Sequence, residues 1–213
     1  MRTHCLSLNA RSAPFSTRIA CTRRAPYTEG MPTSKPKAIY TIGHSTRSWS
    51  EFLALLETFS VRCVVDVRRF PGSRKYPHFN QDALRASLED AGIRYAAMEA
   101  LGGRRKVQED SINTLWRNAS FQGYADYMET DAFGAALQEL IDLADKKCVA
   151  IMCAEAVWWR CHRSMISDVL KAQGWTVLHI VSEAAPKEHP YTSPARVCDG
   201  EVFYSPPDDA ASP

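Results

Sequence analysis

Residues Val149–Ile166, VAIMCAEAVWWRCHRSMI, constrain the fold more than any other stretch of the chain. The apolar run Cys148–Met152 has the length and β-branched content of a strand buried on both faces. It ends at Cys153 and passes through a loop holding Glu155, Trp158 and Trp159. From Ser164 the spacing becomes helical, with Ile166, Val169 and Leu170 on one face and Gly174 as the stop. A buried strand feeding a helix puts the intervening loop at the carboxyl end of a sheet, where open α/β folds bind their ligands. Two cysteines, a carboxylate, an imidazole and two guanidiniums fall within that one turn.

The same alternation runs through the chain before and after it. Ala38–Ile42 is a short apolar strand ending in Gly43-His44-Ser45-Thr46. Ser48 and Glu51 have the spacing of a capping box and open a helix that buries Phe52, Leu55, Leu56 and Phe59. Cys63–Val67 reads as a second strand, Asn80–Asp90 as a helix closed by Gly92, and Ile93–Met98 as a third strand. Residues 107–130 mix aromatic and polar groups and predict short helices over the site. Asp131 caps a helix carrying Phe133, Leu137, Leu140, Ile141 and Ala144, and Thr176–Val181 is a fifth strand. Residues 184–200 read as loop, with Val202–Tyr204 as a last edge strand. Strands alternating with helices at this spacing predict a single α/β domain: a Rossmann-like three-layer fold, with a mostly parallel sheet of about five strands and helices on both faces. The expected organisation is a disordered basic extension over 1–36, the α/β domain over 37–183, a C-terminal loop and edge strand over 184–205, and a disordered tail over 206–213.

Charge excludes one easy inference. The formal net charge is +2, yet residues 1–30 hold five arginines and one acid, so residues 31–213 carry a net −2. The folded part is not generally basic, and whole-chain charge is no argument for nucleic-acid binding. The leading segment has the composition of an organellar transit peptide, or lies upstream of an initiator at Met31; a cytoplasmic location is expected, an organellar one the alternative. No apolar run approaches the ~20 residues of a membrane span, so no membrane partner is expected. Seven cysteines in no framework spacing point to reduced thiols.

Five blocks in order, YTIGHSTRSWSEFL, VVDVRRFPGSRKYPHFN, LGGRR, WRNASFQGYADYM and CAEAVWWRCHR, resemble the bacterial and archaeal family called domain of unknown function 488. The resemblance covers about Ile39 to Ile180. It implies a single α/β domain and supplies no settled reaction, so function rests on the residues themselves.

In a parallel sheet the loops after four strands share one edge. They bring together His44, Ser45 and Thr46; Asp66, Arg68, Ser73 and Arg74; Gly102, Gly103 and Arg104; and Cys153, Glu155, Arg160, Cys161, His162 and Arg163. Between Asp66 and Asp82 lie four cations and no acid. A basic mouth with glycines that allow backbone approach suits a phosphorylated small molecule or nucleic acid. An enzyme acting on such a substrate would use Arg68, Arg74, Arg160 and Arg163 for the anion. Glu155 or Cys153 would do chemistry, with His44 or His162 moving a proton and Asp66 acting directly or by orienting Arg68 or His44. Two indoles near Glu155 would desolvate it. A non-catalytic nucleotide- or nucleic-acid-binding module needs the arginines but not Glu155 and Cys153.

A third reading rests on the thiols. Cys161 sits near a helix start between two arginines, which favours a thiolate, and Cys153 ends a buried strand where nucleophiles often stand. The strand-Cys-loop-helix arrangement looks like rhodanese domains, but Cys153-x6-Arg160 is longer than their anion-cradling loop. Either cysteine is equally readable as a small buried hydrophobe. No cofactor is required. Zinc or iron could be reached only through Cys153, Cys161 and His162, whose Cys-x7-Cys-His spacing matches no compact zinc motif. Of the aromatics, Trp49 belongs to the core, and of the adjacent Trp158 and Trp159 one faces the site.

Overall fold

The computed structural model describes residues 37–207. The extension expected over 1–36 lies outside the described residues, as does the expected tail from residue 208 onward. Eight strands and five helices follow in order: β1 (Ala38–Gly43), α1 (Trp49–Thr58), β2 (Cys63–Asp66), α2 (Gln81–Asp90), β3 (Arg94–Ala97), α3 (Ala119–Met128), α4 (Asp131–Ala144), β4 (Val149–Cys153), α5 (Arg163–Ala172), β5 (Thr176–Ile180), β6 (Lys187–Glu188), β7 (Arg196–Cys198) and β8 (Glu201–Phe203). The main sheet has the order β3-β2-β4-β1-β5-β6. Its first five strands are parallel, and β6 pairs antiparallel with β5.

The expected three-layer α/β fold is therefore present, with six strands rather than five in the sheet. Side-chain alternation sorts the layers. Ile39, Val65, Val67, Val149, Ile151, Cys153 and Val177 pack with α3, α4 and α5. Ile42, Val64, Ala150, Met152 and Ile180 face Phe52, Leu55 and Leu56 of α1 and Leu84 and Leu88 of α2. Because successive side chains of a strand point to opposite faces, both cores are filled by the same five strands. This is why β4 is apolar at every position and β2 at every position before Asp66.

Local signals set the helix ends. The Ser48–Glu51 capping box forms reciprocally at the start of α1. Gly92 and Gly174 follow α2 and α5 with φ of 70° and 88°, the left-handed conformation that a side chain would strain. Asn80 does precede α2, but its Oδ1 accepts from the Ser73 amide at 2.6 Å instead of capping the helix. The cap of α4 is Thr130, one residue before the expected Asp131.

The C-terminal stretch departs most from expectation. Residues 201–203 form no edge of the main sheet; β8 pairs with β7 in a separate two-stranded ribbon. Residues 184–200, read as loop, supply both β6 and β7. Tyr204 is buried in the α5-side core.

Candidate functional site

The β1–β4 pairing aligns Gly43 with Cys153, and the β2–β4 pairing aligns Asp66 with Met152. Three strand ends therefore finish level at the carboxyl edge. Beyond them the pairing continues into the loops: the His44 amide donates to the Cys153 carbonyl (2.9 Å), Ser45 to Ala154 (3.0 Å), and Val67 to Met152 (3.0 Å). Only glycine fits at position 43, since a Cβ there would stand 1.9 Å from the Glu155 carbonyl oxygen and 3.0 Å from an Arg163 Nη. Alternation then divides the edge into two clusters on opposite faces of the sheet.

On the α1/α2 face, Asp66 is met by Arg68. Arg68 Nε lies 2.9 and 3.1 Å from the two carboxylate oxygens and Nη2 lies 2.6 Å from Oδ2. The Tyr95 hydroxyl donates to Oδ2 (2.8 Å) and the Arg68 amide to Oδ1 (3.0 Å). Both members of the ion pair are buried. Arg68 Nη1 points at His44 Nε2 (3.3 Å), while His44 Nδ1 lies 3.0 Å from the Ser45 carbonyl, which can only accept. His44 thus carries its proton on Nδ1 and accepts at Nε2. Burial first, then the Arg68 charge, lowers its pKa to about 4, so the ring is neutral at pH 7 and stacks on Phe79.

On the α5 face stand the thiols. Cys153 Sγ and Cys161 Sγ are 2.8 Å apart, both free, with exposures of 4% and 5%. The Glu155 amide donates to Cys153 Sγ (3.3 Å), and Arg163 Nε donates to Cys161 Sγ (3.4 Å). Arg163 is 1% exposed, and its Nη2 donates to the Glu155 carbonyl at 2.5 Å. Burial would lower the pKa of so enclosed a guanidinium, but the two sulfurs raise it. His162 Nε2 lies 3.1 Å from the Val67 carbonyl, so Nε2 bears the proton and Nδ1, 3.5 Å from Cys161 Sγ, is the basic nitrogen. Gly103 permits this placement, since a Cβ there would be 2.9 Å from His162 Nδ1. Tyr124 of α3 closes the ring edge-on at 5.1 Å.

The environment drives the two thiols apart. For Cys161, burial alone would raise the pKa; the hydrogen bond from Cys153 and the positive charge of His162 and Arg163 hold it well below the ordinary thiol value. Cys153 is pushed well above that value by burial and by its bond to Cys161. Either sulfur can donate to the other, and the His162 and Arg163 side chains both stand against Cys161.

The remaining sequence candidates are placed as follows. Glu155 enters through its backbone, and its side chain is exposed, so the expectation that two indoles would desolvate the carboxylate is not met. Thr46, Arg74, Arg104 and Arg160 are exposed. Ser73 Oγ accepts from the Tyr76 amide within a local turn, and Gly102 packs on Arg69. The guanidiniums expected to converge on one anion have separate partners: Arg68 has Asp66 and His44, and Arg163 has Glu155 and Cys161. Among the described residues no three His, Cys, Asp or Glu are grouped to hold a metal ion, Cys153, Cys161 and His162 included. Of the other cysteines, Cys63 and Cys148 are also free.

Sequence reasoning missed a third network on the α5 face. Asp168 receives the His189 Nε2–H (3.0 Å), the Thr192 amide (2.8 Å) and hydroxyl (2.6 Å), and the Tyr204 hydroxyl (2.8 Å). From His189 it continues to His179 (2.9 Å) and Thr41 (2.7 Å). Trp158 stacks on His179 at 4.3 Å, whereas Trp159 is exposed, so one indole of the pair does turn inward. This network holds the 154–160 loop down against the sheet. Asp168 at its centre is fully buried, and nothing in the sequence distinguished it from a surface acid.

The fold places the chain among α/β proteins with a mostly parallel sheet covered by helices. The chain belongs to the family described as domain of unknown function DUF488, whose model matches residues 48–170. That span contains both clusters apart from His44, which precedes it. No curated protein and no solved structure matches the chain. No helix among the described residues is long and apolar enough to cross a membrane.

Proposed function

We propose that the protein is a thiol-dependent oxidoreductase in which Cys161 is the reacting thiolate, His162 its base and Cys153 the second thiol. The observation that carries this reading is the 2.8 Å separation of the two sulfurs. A disulfide bond is about 2.05 Å long, so closure needs a movement of less than ~1 Å. His162 Nδ1 takes the Cys161 proton, and Arg163 steadies the resulting anion. Attack by Cys161 on an oxidant leaves an electrophilic sulfur within reach of Cys153, which then displaces the leaving group, its proton departing with that group, and closes the disulfide. The reading is tested by titrating the reduced full chain with diamide, a two-electron oxidant, followed by peptide mass mapping. The expected product is a Cys153–Cys161 crosslink with the loss of two hydrogens. Both thiols remaining open to alkylation after treatment would refute it.

A second reading, binding of a nucleotide or nucleic acid, is favoured by one feature. Phe70, 63% exposed, lies beneath two guanidiniums, Arg69 at 5.5 Å and Arg104 at 5.8 Å from the ring centre. An exposed aromatic flanked by arginines is a platform on which a base can stack. Fluorescence anisotropy with a labelled oligonucleotide tests it: Phe70→Ala would weaken binding if the ring stacks, and leave it unchanged if the arginines serve only the fold.

A further inference from the structure

Resting on the thiol reading above, we infer that the oxidant is a hydroperoxide, and that the site is built to reduce it. Two features of the α5-face cluster select this class.

The first is enclosure. Cys161 is 5% exposed and packed by Cys153, His162 and Arg163, all within 3.5 Å of its sulfur. Thiol–disulfide exchange requires in-line approach of two bulky sulfurs and their substituents. A hydroperoxide presents a terminal oxygen with a single hydrogen, which needs far less room.

The second is the proton inventory. The leaving group of a disulfide or persulfide is a thiolate, with a parent pKa of about 8.5, and it departs without help. The leaving group of a peroxide is hydroxide or alkoxide, the base of an acid near 15.7 in the case of water, and it needs a proton as the O–O bond breaks. His162 supplies that proton. Its Nε2–H is committed to the Val67 carbonyl, so the proton taken from Cys161 resides on Nδ1, the nitrogen facing the reacting sulfur.

The steps balance. Cys161–S⁻ attacks the distal oxygen of ROOH; the S–O bond forms, the O–O bond breaks, and the Nδ1 proton of His162 leaves with RO⁻ as ROH. The product is Cys161–SOH. Cys153 then attacks that sulfur, displacing the hydroxyl, which departs as water with the Cys153 proton. The sum is ROOH plus two thiols giving ROH, water and one disulfide.

The test measures oxidation of the reduced full chain by hydrogen peroxide, tert-butyl hydroperoxide and glutathione disulfide, read as loss of alkylatable Cys153 and Cys161. Hydrogen peroxide is expected to react faster per thiolate than with free cysteine in the same buffer, and faster than glutathione disulfide reacts with the pair. Cys153→Ser is expected to stop at a sulfenic acid on Cys161 that dimedone captures. His162→Gln is expected to slow hydroperoxide by about 100-fold more than it slows glutathione disulfide, because only the former needs the acid. Faster oxidation by glutathione disulfide, or equal slowing of both oxidants by His162→Gln, would overturn the hydroperoxide assignment and leave the thiol pair standing. Failure of every oxidant, diamide included, to link the two cysteines would overturn the pair itself. The comparison of oxidants on the unaltered chain decides the matter even if a variant does not fold.

Discussion

The two clusters at the carboxyl edge are made from neighbouring strands and similar residue types, yet they differ in what their neighbours leave undone. In the Asp66–Arg68–His44–Tyr95 cluster each charge has its opposite and the histidine is neutral with both nitrogens bonded. In the Cys153–Cys161–His162–Arg163 cluster two like groups are forced together. One is pushed toward the anion and the other toward the neutral acid, and a basic nitrogen faces the pair. Satisfied networks of buried charge specify structure. Groups whose protonation states are driven apart mark chemistry. On the function proposed above, the α5-face cluster is the reactive one and the α1/α2-face cluster its scaffold.

The comparison breaks most decisively at Cys161. Cys161→Ser should abolish rapid alkylation and disulfide formation outright while costing only about 1 kcal/mol of stability. Retained fast alkylation, assigned by mass spectrometry to Cys153, would reverse the roles of the two sulfurs. At the scaffold the pattern inverts. Asp66→Ala leaves Arg68 buried without its carboxylate and should cost about 3–5 kcal/mol in urea denaturation. The pH midpoint of Cys161 alkylation in that variant should stay where it is in the parent. A midpoint that moved would join the two clusters into one site.

Acid should sharpen the contrast. His44, at about 4, and His179, at about 3, stay neutral when folded, whereas an unfolded histidine protonates near 6.5. Below that value the unfolded state binds more protons than the folded one. Stability should therefore be full above pH 6.5 and fall continuously as the pH drops toward 4 and 3. Urea midpoints measured between pH 7 and 4 check this, and a flat profile would mean that neither ring is held neutral. Smaller effects follow. Gly103→Ala places a methyl against His162 Nδ1 and should slow Cys161 alkylation by less than removal of the imidazole does. Ser48→Ala removes the capping box of α1, which belongs to neither cluster, and should lower stability by about 1 kcal/mol with no change in thiol reactivity.

The sequence alone determined the layers of this protein and the edge at which its chemistry stands. Those features are written in short-range patterns. The unbroken apolar runs of Cys63–Val65 and Val149–Met152 require burial on both faces. Ser48 with Glu51, and Gly92 and Gly174, punctuate helices through contacts only a few residues long. Because parallel strands send their following loops to one edge, His44, Asp66, Cys153 and Cys161 could be placed together before any coordinate was known. Which of them interact was decided by tertiary structure. Arg68 and Arg163 read alike as cations. Which face of the sheet each strand end serves gave Arg68 to Asp66 and put Arg163 beside two thiols. Glu155 looked catalytic by its neighbours in sequence, but the turn after β4 directs its backbone inward and its carboxylate to solvent. His189 and Thr192 sat in a stretch without periodicity, and only the fold of 184–200 back onto α5 brings them to Asp168. The approach of Cys153 and Cys161 to 2.8 Å depends on a loop held down by Trp158 on His179. Contacts of that range leave no period in a sequence, since they are set by the packing of elements and not by the spacing within one.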